Sequence, residues 1–180
     1  MEHLLTSARS VLETTAPRWT RLIETLPADL LARAPAAGEW SAVDCLRHLR
    51  DTERFAFPVR VRAFLAGQDF PGFDPDRDGT PATDEAPAAL LADFTRLRTA
   101  SLDLLARLTE RDLQRTARHS ELGEVTLGQM VHEWAGHDLM HTVQAERALM
   151  QPFIAGCGPW RFYFADHDVA GGSAPSEATG

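Results

Sequence analysis

The chain has 180 residues, 44% of them hydrophobic, and a formal net charge of -8. Such a length and apolar share suit one globular domain with a core of its own. The acidic balance argues against a grip on nucleic-acid backbones, which takes surplus positive charge, and no apolar run is long enough to span a membrane. The opening MEHLLTSARS carries an acid at once and no sustained apolar stretch, so it does not read as a secretion signal, and a cytoplasmic location is expected. All 18 basic residues are arginine, and neither lysine nor asparagine occurs, as expected of a GC-rich bacterial genome. Cys45 and Cys157 lie too far apart in sequence to form a metal pair or a disulfide framework.

Four helices are predicted. In the first, over about residues 3–26, Leu4, Leu5, Leu12, Trp19, Leu22, Ile23 and Leu26 recur at helical spacing, with a kink or a late start expected at Pro17. A connector with one short helical turn follows. The second helix starts at Ser41, where SAVD places an acid three residues after a capping serine. Val43, Leu46, Leu49, Ala56 and Phe64 give its stripe, Pro58 predicts a bend within it, and Gly67 is its stop.

Residues 68–82 are rich in Asp, Gly and Pro and read as a loop. Asp74, Asp76, Asp78, Gly79 and Glu85 match the spacing of a calcium loop. Pro81 has no N–H with which to pair a second loop, no second loop exists, and Pro71 and Pro75 break the entering helix, so a solvated acidic turn is the expectation. The third helix begins near Asp84 or Glu85, tolerates Pro87 in its first turn, and runs to about residue 108 on Leu90, Leu91, Phe94, Leu97, Leu102, Leu105 and Leu108. A polar connector, TERDLQRTARHSELGEV, separates it from a fourth helix capped by Thr126 in TLGQ and running to about Met150. No strand is predicted. The expected organisation is an all-α four-helix bundle over residues 1–162 with a disordered tail, 163–180.

The fourth helix carries the chemistry. HEWAGHDLMH resembles the zinc-protease signature, but His132 stands five residues before His137, about 140° away around the axis, and cannot share a metal with it. His137 and His141 are four apart, about 40° from each other on one face, and can. Taken alone, such a pair reads first as part of a solvated helix face. Catalytic zinc sites take three protein ligands and leave one position open, so a third histidine must come from another helix. His48, at the edge of the second helix's buried stripe, is the best placed, although a lone histidine there also reads as a boundary residue. His3, His119 and His167 read as surface residues.

GEWSAVDCLRHLRDTE followed about ninety residues later by VTLGQMVHEWAGHDLMHTVQAE resembles the DinB/YfiT-like superfamily over residues 1 to about 150. The resemblance implies an up-down-down-up four-helix bundle, often a homodimer. It also implies a divalent metal held by three histidines, here His48, His137 and His141. Zinc suits such a set best, with nickel, iron or manganese as alternatives. Members with known activities are metal-dependent hydrolases or transferases that use low-molecular-weight thiols such as bacillithiol. The expected activity is therefore thiol S-transfer to a small-molecule substrate. Hydrolysis by a metal-activated water is the alternative, and a non-enzymatic stress-related binding protein on the same bundle is a reading of another class. Three neutral ligands leave the cation its full charge, which lowers the pKa of a bound thiol or water.

Around that set, Glu133 stands four residues before His137 and reads either as an acid that orients a ligand or shuttles protons, or as an exposed helix acid. Asp51, three residues after His48, is near enough to support that ligand but reads rather as an exposed acid; Asp138 reads as turned away, Glu53 as facing elsewhere, Trp40 and Trp134 as core or pocket wall, and Cys45 as a small buried hydrophobe.

Overall fold

The computed structural model describes residues 3–81 and 85–169. Its helices are α1 (Leu4–Thr25), α2 (Ala28–Leu31), α3 (Ala42–Phe55), α4 (Phe57–Ala66), α5 (Pro75–Asp78), α6 (Pro87–Leu105) and α7 (Leu127–Gly156). Helices α1 and α3 each pack against both α6 and α7. The four form a bundle in which α1 and α3 face each other across one diagonal and α6 and α7 across the other.

Both expected capping boxes are formed. Ser41 Oγ accepts from Asp44 N (3.2 Å) while Asp44 Oδ2 accepts from Ser41 N (3.0 Å). Thr126 Oγ1 accepts from Gln129 N (3.1 Å) while Gln129 Oε1 accepts from Thr126 N (2.8 Å). A cap stabilises a helix by about 1 kcal/mol. More important here, the two boxes fix where α3 and α7 begin, and so the height at which His48, His137 and His141 stand.

The second predicted helix is not one bent helix. It stops at Phe55 and restarts at Phe57, with Ala56 at φ -114°, ψ -82°. Pro58 has no N–H for the carbonyl four residues back, and its ring crowds that carbonyl, so the chain restarts with Pro58 in the first turn of α4. Gly67 ends α4 at φ 65°, in the left-handed region, as its stop role requires.

Among the described residues, the polar connector before α7 departs from the all-helical expectation. Strands β1 (Thr116–His119) and β2 (Gly123–Thr126) pair antiparallel, Thr116 opposite Thr126 and His119 opposite Gly123. Four-residue strands leave too little alternation to be read from sequence. Phe70 joins the ladder: its N–H donates to Arg118 O (3.1 Å) and its carbonyl accepts from Ser120 N (3.2 Å). His119 is therefore not a surface residue. It is 7% exposed, and its Nδ1 accepts from Glu121 N (3.1 Å) and Leu122 N (3.3 Å) across the turn.

Part of the acidic 74–85 stretch lies outside the described residues, at 82–84. Three of the described acids, Asp74, Asp78 and Glu85, have partners within the protein. Asp74 caps the turn of α5 through Asp76 N (3.0 Å), Asp78 pairs with Arg77 (2.7 Å), and Glu85 lies 3.5 Å from Arg50. Of the expected tail, residues 170–180 lie outside the described residues. Residues 163–169 lie against α7: His167 O accepts from Gln151 Nε2 (2.9 Å), and Val169 N donates to Gln151 Oε1 (2.9 Å).

The core is divided in two. Leu12, Phe57, Val61, Phe64, Leu105 and Trp134 belong to one apolar cluster. Trp19, Leu46, Leu49, Leu90, Phe94 and Leu149 belong to the other. Between them every bundle helix contributes a polar group. Arg98 of α6, 2% exposed, donates to Glu53 Oε1 of α3 (2.7 Å), to Asp138 Oδ2 of α7 (2.6 Å) and to Leu12 O of α1 (2.9 Å). Glu53 also accepts from Ser101 Oγ (2.5 Å) and Trp134 Nε1 (3.0 Å), and Asp138 accepts from Thr15 Oγ1 (2.5 Å). Glu53 and Asp138, expected to face elsewhere or away, are the anionic half of this layer. Burial pushes the Glu53 carboxyl up from its ordinary value while Arg98 pulls it back down. The layer ties α3 and α7 at one level, five residues beyond His48 and one beyond His137.

Candidate metal centre

Beside that layer the three predicted histidines meet. His48 comes from α3, and His137 and His141 from successive turns of α7. One ring nitrogen from each lies within 4.8 Å of the other two. His48 Nε2 and His137 Nε2 are 2.9 Å apart. His132 is exposed and takes no part. Among the described residues no other group of His, Cys, Asp and Glu converges in this way.

The cluster is held from outside. Trp40 stacks on His141 at a centroid distance of 5.7 Å and leans on His48 at 4.9 Å. Phe57 meets His137 edge-on at 5.1 Å. These rings exclude water and lower the local polarity. His141 Nδ1 donates to Gln144 Oε1 (2.8 Å), which leaves the Nε2 lone pair of His141 free. Gln144 was not singled out in the sequence; its signal is a polar side chain three residues after the second histidine, on the same face.

A divalent cation suits this donor set. Burial, first of all, pushes His48 down to about 4, with His141 adding repulsion. Burial pushes His137 down to about 2, with His141 and His48 adding to it. His141 moves the same way for the same first cause. All three imidazoles are thus neutral at pH 7, the form that binds metal. His137 Nδ1 is also buried with no hydrogen-bond partner among the described residues. Three neutral imidazoles with one nitrogen each within 4.8 Å of the others, two of these nitrogens only 2.9 Å apart, make a donor set that a divalent cation could share.

The depressed values have a consequence for the metal-free protein. Unfolded histidines take up protons near pH 6.5, whereas His48 and His137 do not until much lower pH, and His141 is shifted in the same direction. Below pH 6.5 the unfolded chain therefore binds more protons, and stability falls with pH, by up to about 1.4 kcal/mol per unit for each histidine involved. Urea unfolding of metal-free protein from pH 7.5 to 5 should show a falling midpoint; a flat midpoint would contradict the burial of the trio.

In front of His48 opens a cavity of about 340 Å³ lined by Trp40, Asp44, Arg47, Asp51 and Thr80 among others. Asp51 is 3% exposed, not the exposed acid expected. It accepts from Arg50 Nε (2.7 Å), Thr80 N (2.6 Å) and Thr80 Oγ1 (2.8 Å), and so straps the 79–81 segment over the cavity. Gly79 permits the tight turn out of α5 that leads into this segment: a Cβ there would stand 2.3 Å from Pro75 O. Glu133 turns elsewhere. It is half exposed, and its nearest cation is Arg60 at 3.9 Å. Cys45 is fully buried, and burial pushes its thiol up to about 12, as a small hydrophobe. Trp134 stacks on Phe57 at 5.1 Å within the core.

The sequence profile of the DinB superfamily matches residues 12–145, a span that contains all three histidines. The chain belongs to the DinB superfamily. Among solved structures, YfiT from Bacillus subtilis, described as a probable metal-dependent hydrolase with an unusual four-helix bundle topology, superposes with a TM-score of 0.66. The match covers 80% of this chain and 85% of YfiT, at 20% sequence identity, and so establishes a shared fold. No curated protein matches by sequence. The DinB fold here is the one expected from the two helix motifs, and the two capping boxes that those motifs contain are what bring the histidines to one height.

Proposed function

We propose that this DinB protein is a metal-dependent enzyme that holds one divalent cation through His48, His137 and His141 and activates a low-molecular-weight thiol for transfer to an electrophilic small molecule. The observation that carries the reading is the convergence of three neutral, shielded imidazoles beside a 340 Å³ cavity. Zinc suits three imidazoles best, with nickel, iron and manganese as alternatives. Bound there, the cation keeps its full charge and lowers the pKa of a thiol or water that joins it.

The disposition of the acids favours the thiol. Asp44 is held by Ser41 and Arg47, Asp51 by Arg50 and Thr80, Asp138 by Arg98 and Thr15, and Glu133 faces Arg60. Each is engaged away from the role of a proton acceptor beside the trio. A thiol, with an ordinary pKa of about 8.5 against about 15.7 for water, needs less help to ionise. The roles of the remaining residues follow: the histidines hold the cation, Gln144 fixes the His141 tautomer, Trp40 shields the ligands, and Asp51 with Thr80 shapes the cavity mouth. Hydrolysis is the second reading, favoured by the description of YfiT. Leu139, Met140 and Val143, 42%, 55% and 59% exposed along α7, form an apolar strip that suits a homodimer face. No described helix is long and apolar enough to cross a membrane, and we place the enzyme in the cytoplasm.

The test is thiol turnover. Metal-loaded protein given bacillithiol or glutathione with monochlorobimane should consume the thiol, and chelated protein should not. Hydrolysis of simple esters or amides without thiol consumption would select the second reading. Metal binding with neither activity would make the bundle a binding protein.

A further inference from the structure

One turn before His137, a second cavity of about 220 Å³ opens between α4, the hairpin and the start of α7. None of its lining residues lines the cavity in front of His48. Its walls are mostly apolar: Phe70, Leu122, Val125 and Met130. Arg60 and His119 line it beside these walls, as does Glu133.

Arg60 is 8% exposed, and its guanidinium makes no hydrogen bond among the described residues. Its one carboxylate partner among the described residues, Glu133 Oε2, stands 3.9 Å away, an ion pair too long to be a hydrogen bond, on the rim of the same cavity. The guanidinium instead lies over the Phe70 ring, 5.5 Å from its centroid. An arginine stays charged in proteins, and so long a pair leaves its N–H groups without a hydrogen-bonding anion. His119 supplies the second donor. Its Nδ1 accepts two backbone N–H groups, so the ring proton sits on Nε2, and Nε2 has no hydrogen-bond partner among the described residues. The His119 ring stands edge-on to the same Phe70, at 5.6 Å and 89°. A cation and a neutral N–H donor thus flank one aromatic ring inside an apolar cavity.

We propose that this cavity is a second small-molecule site, selective for a small amphipathic monocarboxylate, with the carboxylate on Arg60 and His119 Nε2–H and the apolar body against Phe70, Leu122, Val125 and Met130. The volume is about seven times a water's share of the liquid, the scale of a short aliphatic or single-ring aryl acid. Glu133 and Glu121, the acids that act on Arg60, compete with the ligand and keep its affinity modest. The site does not depend on the metal.

Benzoate titrated into the full chain, followed by amide NMR shifts, tests this. Saturable shifts centred on Leu122 and Val125 are expected. Benzyl alcohol should bind at least about tenfold more weakly, and Arg60→Gln should weaken benzoate by a similar factor, as loss of a charge-assisted hydrogen bond requires. Glu133→Gln should tighten benzoate. That variant keeps the test valid should Arg60→Gln fail to fold. Shifts centred on Trp40 and His48, equal binding of acid and alcohol, or no saturation by about 10 mM would each overturn the assignment.

Discussion

Replacing Arg98 with Met should lower the free energy of unfolding by about 3–5 kcal/mol, read as a large fall in the urea midpoint at pH 7. Arg98 is 2% exposed, while Glu53 and Asp138 are 2% and 1% exposed. The substitution keeps most of the side-chain volume and removes the cation between two carboxylates. Each acid would lose its charged partner where water cannot replace it, and Leu12 O would lose its donor. Against a total stability of about 5–15 kcal/mol for a typical domain, such a loss is a large fraction. The cost comes from the stranded acids more than from the lost attraction, so a triple variant, Arg98→Met with Glu53→Gln and Asp138→Asn, should recover part of it. Arg98→Met within about 1 kcal/mol of the parent would mean that the layer does not hold the bundle together.

That layer also marks the limit of what the sequence discloses. The apolar stripes of α1, α3, α6 and α7 are long and periodic, so the bundle is legible from them and from the two capping boxes. The histidine trio is legible because a four-residue spacing puts two side chains on one helix face and only one other helix offers a third histidine beside a buried stripe. Arg98, Glu53 and Asp138 are not legible in the same way. Each sits on its helix among ordinary charged residues, and what distinguishes them is that they face one another, a fact of tertiary packing. Asp51 and His119 mislead for the same reason. An acid on a helix and a histidine in a polar connector look solvated until Thr80 in one case and the turn amides in the other are seen to cover them. The hairpin escapes because its strands are four residues long and are stabilised by Phe70, more than forty residues earlier.

Elemental analysis of untagged protein should find one divalent metal per chain, and His137→Ala should abolish it. The three rings form a closed triangle, with centroid distances of 5.0 Å from His137 to His48, 4.4 Å from His137 to His141 and 4.5 Å from His48 to His141. Without it the remaining pair spans two helices and offers only two donors, too few for a stable site. His48→Ala and His141→Ala should act alike. Gln144→Leu should behave differently: it leaves all three ligands and removes only the acceptor that orients His141, so metal should still bind, about 10- to 100-fold more weakly. This graded pattern separates a coordination site from a histidine cluster kept for packing. In a packing cluster the alanine variants would lose stability without a change in metal content, and Gln144→Leu would do nothing to it. Native protein that takes up no metal after reconstitution with zinc, nickel or manganese would remove the basis of the proposed chemistry while leaving the bundle and its buried layer as described.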